Sequence, residues 1–106
     1  MSTIRVDSAT TTLINIFTVE PAQQPQLLEM IEESTRKWIS RMRGWISTNL
    51  LASRDSTRVI VYSQWRSVED IEAMRQNPEL APYLKSIGSL AKFESVLCDV
   101  ADVHPK

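Results

Sequence analysis

The chain has 106 residues with 12 basic and 13 acidic side chains, so its formal net charge is −1. This length suits one domain with a single core, and the balanced charge gives no long-range attraction to nucleic acid or to anionic lipid. One cysteine, one histidine and two glycines disfavour a Cys/His metal site, a catalytic triad or Cys-His dyad, and a glycine-rich phosphate-binding loop.

The first predicted strand covers residues 12–19 (TLINIFTV) and follows a polar arm over residues 1–11. It is rich in β-branched residues, and Glu20-Pro21 ends it. Alternate side chains of a strand point to opposite faces. One face therefore carries Leu13, Asn15, Phe17 and Val19, and the other carries Ile14, Ile16 and Thr18. Because both faces are largely apolar, we expect both to be covered.

The first helix is predicted to run from Pro25, which suits a first helical turn, to Gly44, which is expected to end it. Apolar residues recur in this stretch at helical spacing: Leu27, Ile31, Trp38 and Met42. Acidic residues lie early and basic residues late, an order that the helix dipole favours. We therefore expect a helix that lays one apolar face on the sheet.

A strand pair and a second helix follow. Residues 45–53 and 59–65 read as strands around a short turn, which predicts a hairpin. Ser67 and Asp70 have the spacing of a capping box, with Asp in place of the usual Glu or Gln. That spacing predicts that a helix begins directly after the third strand.

Asn77-Pro78 is expected to break the second helix. A short helical piece is predicted through Lys85, and a last strand over residues 93–100. The resulting order β-α-β-β-α-β predicts an α+β domain of the ferredoxin-like kind, with an antiparallel sheet and the helices on one face. We expect this domain over residues 12–100, with a tail over residues 101–106.

The second face of the predicted sheet, which the helices do not cover, is also apolar. In this topology the first and third strands lie side by side in the middle, and the helices leave one face uncovered. That face would carry Ile14, Ile16, Ile60 and Tyr62. Because so large an apolar patch is unfavourable in water, we expect a homodimer that pairs two sheet faces into a dimeric α/β barrel.

The lone Cys98 cannot form a disulfide within the chain. No apolar stretch at the N-terminus resembles a signal peptide, and no apolar run approaches the roughly 20 residues of a membrane helix. We therefore expect a cytoplasmic protein that contacts neither membrane nor nucleic acid.

Asn15 is the polar residue that stands out in the first strand. Asparagine is depleted in strands, and burying its amide without partners costs about 1–3 kcal/mol. Its role is either a structural hydrogen bond to a neighbouring loop or a polar anchor in a pocket between sheet and helices. Trp65 ends the third strand on the same side as Ser63, so Asn15 and Trp65 are predicted to face one hollow, although core packing also explains a tryptophan there.

Three segments resemble the antibiotic biosynthesis monooxygenase family. Asn15-Ile16-Phe17-Thr18-Val19 resembles the N-x-F-T-V first strand of these domains. Lys37-Trp38-Ile39 and Arg43-Gly44-Trp45-Ile46-Ser47 resemble the junction of their first helix and second strand. Residues 59–67 (VIVYSQWRS) resemble their third strand. The segments occur in the family's order, and the resemblance extends from about residue 12 to residue 100.

The resemblance implies a homodimer of ferredoxin-like subunits, each with a cavity between sheet and helices. It also implies a monooxygenase that uses O₂ without metal, flavin or haem, because a phenol or anthrone loses a proton and its electron-rich anion reacts directly with O₂. A small aromatic substrate, polyketide- or quinol-like, is thus expected. The protein would supply an apolar pocket, orientation and hydrogen bonds to the forming oxyanion.

The resemblance makes Asn15 and Trp65 the candidate catalytic residues. Asn15 would hydrogen-bond a substrate oxygen, and Trp65 would stack on the ring or form a wall beside it. The other candidate substrate contacts are Phe17, Trp38, Val61, Ser63 and Tyr83. Core packing is the alternative for Trp38, a local hydrogen bond for Ser63 and a solvated surface position for Tyr83.

Departures from the family pattern keep other functions open. Val61 stands where the family has an asparagine, Ile71 where some members have a tyrosine, and only Lys85 lies near the place of a later arginine. No histidine lies in residues 66–90, so the haem ligand of related haem-degrading monooxygenases is missing. The alternatives are a non-catalytic dimeric domain that binds a small molecule or regulates, and an isomerase or cyclase on the same fold.

Overall fold

A computed structural model describes residues 10–106 of the chain. Its strands and helices in chain order are β1 (Thr11–Val19), α1 (Gln24–Lys37), β2 (Trp45–Ala52), β3 (Arg58–Trp65), α2 (Val68–Arg75), α3 (Ala81–Leu90) and β4 (Ala91–Cys98). Single 3-10 turns, Pro21–Gln23 and Ile39–Arg41, flank α1. The predicted N-terminal arm lies outside the described residues except for residues 10 and 11, and Thr11 already belongs to β1.

The strands form one antiparallel sheet in the order β2-β3-β1-β4. The predicted α+β, ferredoxin-like fold is therefore confirmed, with β1 and β3 adjacent in the middle. Asn15 pairs with Val61 of β3 on one side and with Ser95 of β4 on the other. Within one chain the sheet is open, so a closed barrel would require a second copy.

Two element boundaries differ from prediction. α1 ends at Lys37 instead of Gly44, and Met42 is extended at the end of the 3-10 turn Ile39–Arg41. The helical spacing of apolar residues continues past residue 37 because a 3-10 turn winds in the same sense as an α-helix. The segment after Pro78 is a ten-residue helix, which Pro82 helps to begin.

The last strand also starts earlier than predicted, at Ala91, and ends at Cys98. Its start follows from the pairing, because Ala91 lies opposite Val19, the last residue of β1. Among the described residues, no helix is long and apolar enough to cross a membrane.

The helices cover one face of the sheet and build two apolar clusters on it. The first cluster centres on Phe17, Leu27, Ile31, Val59 and Val61. The second consists of Leu13, Trp65, Ile71, Met74 and Leu80. The odd-numbered residues of β1 thus face the helices, as the alternation predicted. On the other face, which we call the outer face, Ile14, Ile16, Ile60 and Tyr62 stay partly exposed.

Replacing Gly44 with alanine is expected to lower the free energy of unfolding by about 1–3 kcal/mol. Gly44 has a φ of 85°, and a Cβ there would collide with the side chain of Asp70, which accepts a hydrogen bond from Ser67 Oγ at 2.9 Å. Urea unfolding measures the effect. Gly88→Ala is the matched control, because nothing lies within 4 Å of its Cβ position, and helix propensity predicts a gain of about 0.5–1 kcal/mol. Equal stability of Gly44→Ala and wild type would contradict this account.

The β2–β3 turn is expected to make the free energy of unfolding depend on pH. Asp55 Oδ1 accepts hydrogen bonds from Thr57 Oγ1 at 2.7 Å, Thr57 N at 3.0 Å and Ser53 Oγ at 2.8 Å. These bonds, the Thr57 side chain first, lower the pKa of Asp55 from 3.8 to about 2. Because the pKa of Asp55 is lower in the folded state than in the unfolded state, the ionised carboxylate stabilises the fold. This contribution is fully present above pH 3.8 and is lost as the pH falls through about 2.

The measurement is the free energy of unfolding of wild type and Asp55→Asn across this pH range. Wild type should be the more stable protein above pH 3.8, and the difference should shrink as the carboxylate takes up its proton. A difference that stays constant with pH would show that the carboxylate charge does not stabilise the turn.

Candidate functional site

An apolar cavity of about 190 Å³ lies between the helix-facing side of the sheet and the three helices. Most of its wall is aliphatic or aromatic, including Leu13, Phe17, Ile31, Val61, Leu80 and Ile87. An engineered apolar cavity of about 150 Å³ holds benzene. This cavity therefore has room for an aromatic ring.

Asn15 places an amide in this apolar wall. Its Oδ1 accepts a hydrogen bond from Ser95 Oγ of β4, which fixes the side chain from a neighbouring strand and not from a loop. Among residues 10–106, Asn15 Nδ2 has no protein acceptor, while the side chain lines the cavity. Asn15 can therefore donate a hydrogen bond to an oxygen of a bound molecule.

Trp65 forms a fully buried wall of the same cavity and is 1% exposed. Its indole Nε1 donates to Ser63 Oγ at 3.2 Å, and Ser63 Oγ donates to the Leu13 carbonyl at 3.2 Å. Both polar groups are thus satisfied within the protein. Trp65 therefore forms part of the apolar wall and offers a ligand no free donor, and Ser63 holds the ring in place.

Tyr83 of α3 lines the cavity and connects two helices. Its hydroxyl donates to Glu33 Oε1 of α1 at 3.3 Å, and the same oxygen accepts from Lys37 Nζ at 2.7 Å. The hydrogen bond from Lys37 is the main reason that the pKa of Glu33 is lowered. Glu33 therefore stays ionised at neutral pH and keeps Tyr83 at the cavity wall.

Six of the seven candidate residues come together here: Asn15, Phe17, Val61, Ser63, Trp65 and Tyr83 line the cavity. Trp38 does not. Since α1 ends at Lys37, the backbone changes direction at Trp38, whose φ is −126°. Its side chain packs against the second apolar cluster and lines a separate groove beside α2.

The lining residues that were not predicted from the sequence include Arg75, Phe93 and Ser95. β4 is an edge strand, and its Phe93 is 54% exposed although it stacks on Phe17 with ring centroids 5.1 Å apart. The cavity therefore opens along β4. The pairing register of β4 with β1 places Phe93 opposite Phe17 and Ser95 opposite Asn15, on the same face of the sheet. Local sequence pattern does not specify that register.

The titratable groups of the cavity wall are few. Among its described lining residues, Arg75 is the one charged side chain, and no carboxylate, lysine or histidine is present. In the part of the chain that the structure describes, no three His, Cys, Asp or Glu side chains lie close enough together to hold a metal ion. Binding, orientation and hydrogen bonding are the contributions that these residues can make.

An open ferredoxin-like sheet under three helices, with an apolar cavity and an inward-facing amide, defines a small α+β domain whose cavity has room for an aromatic ring. The chain belongs to the antibiotic biosynthesis monooxygenase family, whose model matches residues 10–85. It is 34% identical over 100 residues to the tetracenomycin-F1 monooxygenase of Streptomyces glaucescens, an alignment that covers 94% of this chain and 89% of the relative.

Solved structures show the same architecture. A monooxygenase from the gene ActVA-Orf6 of Streptomyces coelicolor, in complex with nanaomycin D, is 25% identical with a TM-score of 0.81, covering 92% of this chain and 94% of that one. SnoaB, a cofactor-independent oxygenase from Streptomyces nogalater, is 20% identical with a TM-score of 0.79, covering 93% of this chain and 100% of that one. The SnoaB likeness concerns the fold alone.

Proposed function

We propose that this protein is a cofactor-independent monooxygenase that oxidises a small aromatic or phenolic substrate, polyketide- or quinol-like, with O₂. The observation that carries the proposal is the Asn15 amide, which has an open N–H donor in an apolar cavity walled by Trp65. The names of the relatives, a tetracenomycin-F1 monooxygenase and a monooxygenase with bound nanaomycin D, support this class of substrate.

The cavity would act by holding the substrate and stabilising its anion. The substrate ring lies against Trp65 and Phe17, and one ring oxygen accepts from Asn15 Nδ2. Loss of the phenol or anthrone proton puts negative charge on that oxygen, which the fixed donor stabilises more than it stabilises the neutral form. Since the described residues of the wall include no carboxylate or imidazole, we propose that water at the open β4 edge takes the proton.

The electron-rich anion then reacts with O₂ at a ring carbon. The products balance without an external reductant. The reacting carbon gains one oxygen atom, and the substrate loses two hydrogens, both from the methylene carbon of an anthrone, or one from the ring carbon and one from the hydroxyl of a phenol. These hydrogens leave with the second oxygen atom as water, so the substrate supplies all four electrons that reduce O₂. The positioned amide and the apolar wall that orients the ring are the protein's share of the rate enhancement.

Oxygen uptake tests the proposal. Chelator-treated protein is mixed with anthrone- and quinol-type substrates, and O₂ consumption and product formation are followed together. For substrates in which a C–H carbon becomes the new carbonyl, we expect one O₂ consumed per quinone formed, and one labelled oxygen atom in the product when isotopically labelled O₂ is used. No protein-dependent uptake across the panel, or label absent from the product, would contradict the proposal.

A non-catalytic binding domain is the second candidate. Val61, a buried residue of the cavity wall, stands where the family pattern has an asparagine, so the cavity offers few groups for chemistry. This function predicts tight binding of an aromatic ligand that is released unchanged. Recovery of the ligand by mass spectrometry after aerobic incubation distinguishes it from the oxygenase.

We also propose a homodimer through the outer face. Besides its four partly exposed apolar side chains, this face carries Leu51, 49% exposed, and Val96, 43% exposed. Ile60→Glu is expected to raise the dimer dissociation constant by about 100-fold or more, because it buries an unpaired charge. Light scattering after size-exclusion chromatography measures this.

The matched control for the dimer is Val68→Glu, which places the same charge on an apolar side chain that is 41% exposed on α2, away from the sheet. This variant should remain dimeric. A monomeric wild-type protein, or an Ile60→Glu variant that dimerises like wild type, would refute the proposed interface.

We further propose a cytoplasmic location. The single, partly exposed Cys98 supports it, because a lone thiol cannot form a stabilising disulfide within the chain. Detection of the native protein in washed membranes, and not in the cytosolic fraction, would contradict this location.

A further inference from the structure

Arg75 places a positive charge at the cavity, which favours an anionic ligand. The proposed oxidation does not by itself require such a ligand. We infer that the substrate carries an ionised acidic group, a carboxylate or an acidified ring oxygen, that Arg75 binds; this inference rests on the proposed function. Arg75 is the last residue of α2 and lines the cavity. Its side chain is 37% exposed, so the guanidinium lies at the rim, where an anion is only partly screened by water.

The hydrogen-bond donors of the cavity support this inference. The lining hydroxyls are mostly committed within the protein: Ser34 and Thr35 donate to the Ile31 carbonyl, Ser63 to the Leu13 carbonyl, Tyr83 to Glu33 and Ser95 to Asn15. The indole N–H of Trp65 is committed to Ser63. Among the lining side chains that the structure describes, Asn15 and Arg75 are the nitrogen donors left open to a ligand.

The ion pair of Arg75 with Glu72 leaves capacity for a ligand. Arg75 Nη1 donates to Glu72 Oε1 at 2.9 Å, and the Glu72 side chain is 50% exposed. A guanidinium has five N–H donors in a planar fork, so four remain. Half-exposed pairs of this kind are weak, whereas a ligand anion held at an apolar cavity is less screened and binds the fork with two hydrogen bonds.

The two open donors define a substrate with two oxygen functions. One oxygen accepts from Asn15 inside the cavity, and an anionic group faces Arg75 near the end of α2. A neutral aromatic with a single oxygen would leave Arg75 without a ligand contact. The class indicated is therefore a phenolic aromatic acid, or a polyphenol acidic enough to ionise a second ring oxygen.

A matched pair of probes tests this inference: an ortho-hydroxynaphthoate, and the naphthol that lacks only its carboxylate. Binding is measured by fluorescence titration at neutral pH without turnover. Wild type is expected to bind the carboxylate about tenfold more tightly, the range of a charge-assisted hydrogen bond. Arg75→Gln should remove this preference by weakening carboxylate binding alone, and Arg75→Lys should keep part of it.

Arg36→Gln is the control, because Arg36 forms a similar exposed helix ion pair, 3.0 Å from Glu32, and does not line the cavity. It should keep the full preference. Equal binding of both probes by wild type, failure to bind either, or an unchanged preference in Arg75→Gln would overturn the inference. The binding measurement involves no O₂ chemistry, so the two proposals fail separately. Intact O₂ uptake without a carboxylate preference would overturn only the role of Arg75. A carboxylate preference without O₂ uptake would contradict only the oxygenase.

Discussion

Replacing Asn15 with alanine is expected to lower the rate of O₂ uptake by about 100-fold or more, the usual cost of removing one oxyanion donor. Its Nδ2 is the open amide donor in the cavity, and Ser95 fixes its orientation through Oδ1. The fold should tolerate the change, because Asn15 is only partly buried. The free energy of unfolding is expected to fall by about 1 kcal/mol, because the change removes one hydrogen bond to a neutral partner.

Asn15→Asp is the matched control for shape. It has nearly the same size but replaces the donor by an acceptor that is charged at neutral pH, so it should lose at least as much activity as Asn15→Ala. Ser95→Ala keeps the donor and removes its support, and about tenfold loss is expected because the amide is then free to turn. Wild-type activity in Asn15→Ala would show that this amide does not stabilise the reacting oxygen.

Replacing Trp65 with alanine is expected to lower the free energy of unfolding by about 3–5 kcal/mol. The side chain is 1% exposed, is central to the second apolar cluster, and its loss also removes the hydrogen bond to Ser63. Trp65→Phe keeps an aromatic wall and should cost clearly less. Denaturant unfolding followed by circular dichroism measures all three proteins without relying on tryptophan fluorescence.

Trp45→Ala is the comparison for Trp65. Trp45 lies opposite Trp65 in the β2–β3 pairing but is only partly buried, and its Nε1 donates to Thr48 Oγ1 at 2.8 Å. Its truncation should cost less because water can reach part of the vacated space. If Trp65→Ala were the milder of the two changes, the description of Trp65 as the buried wall of the cavity would be wrong.

Much of the fold followed from local patterns in the sequence. The alternation in β1, the hairpin and the capping spacing at Ser67 predicted the order of elements, and the Ser67 cap is present, with Oγ accepting from Asp70 N at 3.2 Å. The end of α1 did not follow, because apolar spacing continues through the 3-10 turn after Lys37. That error placed Trp38 over the cavity, whereas the side chain lies beside α2.

A site residue could be predicted from the sequence only where its chemical type differs from that of its neighbours in the chain. Asn15 is conspicuous as an amide among aliphatic residues. Arg75 is not, because an arginine three residues after Glu72 reads as an ordinary surface ion pair. Ser95 gains its role from a register across 80 residues of sequence, which local pattern does not specify.

The central claim is that one cavity holds the reacting ring between Trp65 and the amide of Asn15. A crystal structure with a bound hydroxynaphthoquinone, a mimic of the quinone product, tests it most directly. We predict the ring against Trp65 and a quinone oxygen within hydrogen-bond distance of Asn15 Nδ2. A ligand seated in the groove beside Trp38, or on the outer face with the cavity filled by side chains, would contradict the claim.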